Sequence, residues 1–356
     1  MTNEHSLSDP DRTPWVRIVA LSVGAVALLS LLLTAFAWPA THIEPRDVPV
    51  AVAGPEAAVQ QVETRLQQER PGAIDVVAVA DQRAARDAIA DREVYGAVVL
   101  DPSGPPTVLT ASVGSPLVAQ ILGQVASGFA AGQGDADGQG AAQAATARVE
   151  DVAPLPSTDP RGAGLAAGAL PLALGGVAVA GLFFGLVRGA VRRIVGVLLV
   201  SVLAGPVLVG ILHEWLGALT GDFWLESGVV ALGIGATALG VLGLAAMLGP
   251  AGMGLGAATI VLLGNPLSAA TSAPELLPEG WGDLGQALPP GAVVNALRSV
   301  SGFDGAGIAE PLAVLATWAV GGALLVLFGG AFDARRARRS RQDAEPAADT
   351  HPIFAQ

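Results

Sequence analysis

The proton-transfer candidates of this 356-residue chain are four histidines, at 5, 42, 213 and 351, and two of them lie in the terminal segments. The pair His213-Glu214 could move a proton or begin a metal site, but either chemistry needs a further base or ligand at a defined spacing, and no such partner follows. The alternative is a pair of polar groups at a membrane boundary. Ser115 and Ser127 lack a partnered base, and with no cysteine there is neither a disulfide nor a thiolate site. Every basic side chain other than histidine is an arginine, so the lysine of a phosphate-binding loop is missing. Gly54-Pro55 opens a strand-to-helix turn without the following G-x-x-G of a dinucleotide site. These absences give the expectation of a protein that is not an enzyme and carries no cofactor or metal.

Arginine clusters are the more informative chemistry. Arg188, Arg192 and Arg193 fall within six residues between two apolar runs, and Arg335, Arg336, Arg338, Arg339 and Arg341 follow the last one. Short arginine-rich connections stay in the cytoplasm. The composition agrees with a membrane setting: 52% of residues are hydrophobic and 14% charged, against roughly 25% charged in soluble domains. The net charge of -12 gives nucleic-acid binding no support.

About 20 apolar residues suffice to cross a bilayer. The runs 15–38, 165–187, 194–212, 228–248, 253–263 and 308–332 therefore predict six transmembrane helices, with both termini cytoplasmic in the plasma membrane. The fourth and fifth could instead be a re-entrant pair. The first run carries tryptophans at both ends, and Arg12 and Arg17 near its start. Ala35-Phe36-Ala37 gives it a second reading as a cleaved signal peptide. Aspartate, glutamate and histidine are missing from the middle of each run, which argues against an ion-coupled carrier.

The fold class is thus a multi-pass α-helical membrane protein with a small extracytoplasmic α/β domain between helices one and two. The division is a cytoplasmic tail at 1–14, helix one at 15–38, the domain at 39–134, a linker at 135–163, a five-helix transmembrane part at 164–332 and a basic cytoplasmic tail at 333–356. Within the domain, periodicity predicts strands at 48–53, 74–80, 95–100 and 107–112 and helices at 57–69, 82–92 and 117–129. That order gives a partly parallel sheet finished by a hairpin. The 135–163 stretch is rich in glycine, alanine, glutamine and proline without a sustained apolar face.

Three stretches carry a likeness: Asp91-Arg-Glu-Val-Tyr-Gly-Ala-Val-Val in the domain; Gly264-Asn-Pro-Leu-Ser268; and Leu288-Pro-Pro-Gly-Ala292 with Leu297-Arg-Ser-Val300 and Phe303-Asp-Gly-Ala-Gly307. In this order, the chain resembles the permeases of type-2 ABC exporters, in the branch that includes phage infection protein and related actinobacterial membrane proteins. The resemblance implies an exporter of a hydrophobic or amphipathic substrate, working as a homodimer or heterodimer in the lipid bilayer and energised by a separate nucleotide-binding ATPase. It implies that Arg188, Arg192 and Arg193 form an ATPase-coupling loop. It also makes 265–307 an outer re-entrant segment, marked by Asn265, Pro266, Pro289, Pro290, Arg298 and Asp304. Leu276, Leu277, Trp281, Leu284 and Leu288 would give that segment an apolar stripe lying in the membrane interface. A disordered loop is the other reading of 265–307, and a non-transporting membrane scaffold or surface receptor is the other reading of the whole.

Overall fold

The computed structural model describes residues 13–101, 104–132 and 147–344, with side chains described for all of these except 69, 128–132 and 333–344. The extreme termini, residues 135–146 of the expected linker and the arginine side chains of 335–341 lie outside the described side chains.

The chain starts with α1 (Trp15–Thr41), an uninterrupted apolar helix. It then enters an α/β domain built from β1 (Val48–Ala53), α2 (Glu56–Glu69), β2 (Ile74–Val79), α3 (Gln82–Ala90), β3 (Gly96–Val99), β4 (Thr107–Thr110), α4 (Pro116–Gly132) and β5 (Arg148–Asp151). The strand order is β2-β1-β3-β4-β5. The pairs β1/β2, β1/β3 and β4/β5 are parallel, and β3/β4 is antiparallel. Strand β1 reads Val-Pro-Val-Ala-Val-Ala because a parallel strand covered on both faces has no side to give to water. Its alternate residues feed two cores. Ala51, Ala97 and Leu109 pack with Ala85 and Ile89 of α3 on one face, and Val50, Val98 and Val108 pack with Val118 and Leu122 of α4 on the other.

Strand β5 lies in the stretch expected to be a linker with marginal structure, and it corrects that reading. Arg-Val-Glu-Asp offers one apolar residue in four and no alternation. What holds it is the open edge of β4, together with Arg86 of α3, whose Nη2 reaches Glu150 Oε2 at 2.5 Å.

Beyond the domain come α5 (Ala163–Leu186), α6 (Ala190–Val209) with a π-helical extension through Trp215, α7 (Phe223–Leu248) and α8 (Pro250–Ala258) with a π turn through Gly264. A 3₁₀ turn (Pro274–Leu276), α9 (Trp281–Gln286), α10 (Pro289–Gly302) and α11 (Ala309–Ala344) complete the chain. Five helices are long and apolar enough to cross a membrane: α1, α5, α6 with its extension, α7, and α11 as far as Phe332. The protein is a multi-pass helical membrane protein. The remaining expected span, 253–263, falls on α8 and its π turn, together 15 residues, or about 22 Å at 1.5 Å per residue against a core of about 30 Å.

Helix α7 is the centre of the bundle. Its apolar window is 78% buried, whereas those of α5, α6 and α11 are 22% buried and that of α1 is open along its whole length. Glycines allow this crowding: a Cβ on Gly240 would stand 2.6 Å from Trp318 of α11, and one on Gly243 would stand 2.7 Å from the Gly322 carbonyl.

Candidate functional site at the domain–bundle junction

The 265–307 segment is packed structure with two attachments. Leu276 belongs to the core on the α4 face of the sheet, and Phe303 to the core on the α3 face. The chain leaving α1 pairs with it along the backbone, Glu44 N–H to Leu276 O at 3.1 Å and Arg46 N–H to Glu275 O at 3.0 Å. Leu276, Leu277 and Leu288 are buried in the protein, so the stripe expected to lie in a membrane interface faces inward and only Leu284 is openly exposed. The period of the stripe was legible, but the surface it meets depends on the domain's position.

Pro289 and Pro290 occupy the first helical positions of α10, where a missing N–H costs nothing and a fixed φ favours the helix. Both are buried, and Pro290 packs against Gly264 at the end of the π turn. Asn265 and Pro266 are half-buried there, with the Asn265 carbonyl accepting from Ser268 Oγ at 2.7 Å. Helix α10 wedges between α7 and α11 and carries Arg298 into the junction. Asp304, left-handed at φ 49° and exposed, takes no part in the buried cluster.

Arg298 is 5% exposed, and its Nη2 donates to the carbonyls of Ala269 at 3.0 Å and Ala270 at 2.9 Å. Ala269 stands at φ 55°, a conformation that costs an L-residue about 1 kcal/mol. The guanidinium therefore pins a strained turn. Arg92 arrives from the domain. Helix α3 ends with Arg92 N–H on Ile89 O and Glu93 N–H on Ala88 O, and Arg92 takes the left-handed position usually given to glycine. That bend directs its side chain to Asn295 O at 3.3 Å, to Ser299 Oγ, and over the Phe303 ring at 5.3 Å. Tyr95 donates to Glu275 Oε2 at 2.8 Å.

The buried guanidinium of Arg298 and the half-buried Arg92, Tyr95 and Glu275 thus come together outside the spans. Burial first, then the Glu275 charge and hydrogen bond, push the Tyr95 hydroxyl well above its ordinary value. Burial pulls Arg298 down to about 10 and also lowers Arg92, against the raising influence of Tyr95 and Glu275. Two of the three stretches that carried the resemblance meet here, Arg92 and Tyr95 from the first and Arg298, Ser299 and Phe303 from the third, and the Ala269–Ala270 turn they enclose begins immediately after the second.

A second buried group adjoins it. Glu226, in the first turn of α7, is completely buried and accepts from Gly221 N–H at 2.8 Å and Ser301 Oγ at 2.6 Å, with His213 Nδ1 at 2.9 Å. His213 therefore pairs with Glu226, thirteen residues on, and its sequence neighbour Glu214 is exposed. The apolar run expected at 228–248 begins after Glu226, so run length gave it no role, whereas α7 begins at Phe223. The signal available was an acid opening an apolar helix, just after Asp222, whose side chain caps α7 through the Trp224 and Leu225 N–H groups. Among the described residues no three potential ligands converge into a metal site.

The hairpin arginines divide by role. Arg193 Nε donates to Val187 O at 2.7 Å and its Nη2 to Phe184 O at 2.9 Å, so it caps the end of α5. Arg188 and Arg192 are exposed. Gly330 of α11 packs against Ala190, so the hairpin and the start of the arginine-bearing end of α11 share one end of the bundle, and the α/β domain occupies the other.

Comparison with protein-family models, curated proteins and solved structures found no match for this chain.

Proposed function

We propose that this chain is the membrane-spanning permease subunit of an ABC-type exporter, moving a hydrophobic or amphipathic substrate with energy from a separate ATPase. The observation that carries the reading is the unlike character of the two bundle ends. Arg188 and Arg192 stand exposed at one end beside the root of the arginine-rich tail, and a folded α/β domain stands at the other, where α7 begins with acidic Asp222 and Glu226. The positive-inside rule then puts the arginine end in the cytoplasm and the domain outside, with α8 and its π turn completing a sixth, short crossing. With no lysine in the chain and hence no phosphate loop of its own, energy has to come from a partner, and the exposed arginines are the surface such a partner would meet. The order of span, domain and bundle resembles type-2 exporter permeases, which act as dimers.

Affinity purification of the full chain from its native membrane is expected to bring down a P-loop ATPase, and double charge reversal at Arg188 and Arg192 is expected to release it. A folded preparation that brings down no ATPase sinks the exporter reading. A second reading, a scaffold or surface receptor, draws support from the tight packing, since two cavities in and beside the bundle measure about 20 Å³ each among the described residues. In the exporter reading the path lies between two copies. A neighbouring gene for a P-loop ATPase separates the two.

A further inference from the structure

Among the described residues no carboxylate meets the Arg298 charge directly. Its hydrogen-bond acceptors among them are two neutral carbonyls, and the charges around it are Arg92, a second cation, and the Glu275 carboxylate. A buried cation of this kind is costly unless something neutralises it. Arg298 also lines a crevice at the domain–bundle junction, together with Thr220, Ser301, Leu165 and Pro156. Glu226 lies behind Ser301, but both of its oxygens are occupied, by Gly221 N–H, Ser301 Oγ and His213 Nδ1.

The crevice does not stand alone. Leu165 of α5 lines it and also lines a second, apolar crevice that runs into the bundle between α5, α7 and α10, beside Leu172, Ile234, Val293 and Leu297. Leu297 and Arg298, consecutive on α10, face one crevice each. A cationic end joined through one leucine to an apolar end is the shape of a head-and-tail site.

We propose that the two crevices form one binding site for a single-chain amphipathic anion, with its carboxylate or phosphate head on Arg298 and its acyl chain between α5 and α10. Naming this anion as the exported substrate rests on the exporter reading; the site itself does not. Each crevice holds about 20 Å³ in this packing, the room of a water-sized group, so the occupant enters as α5 and α10 part. Helix α5 is suited to part from its neighbours because only 22% of its apolar window is buried, and its N-cap is Gly162, a glycine at φ 64°.

The test uses the full-length protein in nanodiscs of zwitterionic lipid, without any ATPase, and a palmitate analogue bearing a diazirine on its chain. Crosslinked peptides located by mass spectrometry are expected to map to α5 and α10 near Leu172, Val293 and Leu297. Oleate or an oleyl phosphate monoester should compete at least about tenfold better than oleyl alcohol, because a charged hydrogen bond is at stake; which of the two anions competes better identifies the head. Arg298→Gln should lower labelling about tenfold. Because that change also releases the 269–270 turn, Leu165→Trp provides an independent block at the junction of the two crevices and should abolish labelling while Arg298 keeps its bonds. Equal competition by the alcohol, label spread over lipid-facing α1, or unchanged labelling in folded Leu165→Trp overturns the proposal. A site found in a protein that recruits no ATPase would leave this inference standing and sink the exporter reading alone.

Discussion

Glu226 is surrounded by donors from three elements, and so its removal strands more than one partner. Glu226→Ala would leave the Gly221 N–H and the Ser301 hydroxyl without their acceptor and His213 without its pair. Breaking a buried network of this kind costs about 3 kcal/mol. The expected outcome is a clearly lower thermal midpoint in detergent, with Glu226→Gln intermediate because it keeps the shape and one acceptor. A midpoint unchanged by the alanine would show that the carboxylate does not tie α6, α7 and α10 together. Tyr95 offers a cleaner readout, because it is the only tyrosine in the chain. Its ionisation is raised in the folded state, so the folded protein keeps that proton where the unfolded chain has lost it. The stabilisation from Tyr95 is therefore complete below the ordinary value of about 10 and is lost as pH rises above it. Phenolate absorbance of the native protein should stay flat through that value and appear only with unfolding. A simple titration near 10 in folded protein would contradict the buried Tyr95–Glu275 bond.

Among elements, the α7–α11 contact is the tightest and the most testable. A Cβ on Gly322 would strike the backbone of α7 at Leu239 and Gly240, whereas one on neighbouring Gly321 would meet nothing within 4 Å. Gly322→Val should therefore force the helices apart at a cost of about 1–3 kcal/mol, and Gly321→Val should be nearly silent. Equal thermal midpoints for the two variants would refute the close approach. Strands β1 to β4 and helices α2 to α4 were legible from the sequence because each carries its own periodicity, as Val59, Val62 and Leu66 do on α2. Strand β5 was not, because Arg148-Val-Glu-Asp151 has no such pattern and is stabilised by an edge of β4 that lies 38 residues earlier in the chain. The π extension at 210–215 likewise has no local signature beyond Pro206 upstream, and it places His213 opposite Glu226.

At the level of the whole molecule, the two ends of the bundle predict an orientation. Protease added to intact cells should leave the 335–341 region uncut, while an epitope inserted at 133–146 should be accessible. Cleavage of the tail from outside would overturn the proposed orientation and, with it, the assignment of Arg188 and Arg192 to a cytoplasmic partner. Run length alone decided that the chain crosses a membrane repeatedly, because spanning depends on contiguous apolar residues and on little else. Run length also separated the apolar helices from the domain, where charged residues recur every few positions. The tertiary structure decided which helix is central, which arginine of the hairpin is consumed by a helix cap, and that His213 answers to Glu226. It alone brought Arg92, Tyr95, Glu275 and Arg298 together from segments as much as about two hundred residues apart. Hydropathy is a property of neighbours in sequence, whereas a buried charge acquires its partners from whatever the packing of distant elements places within reach of it.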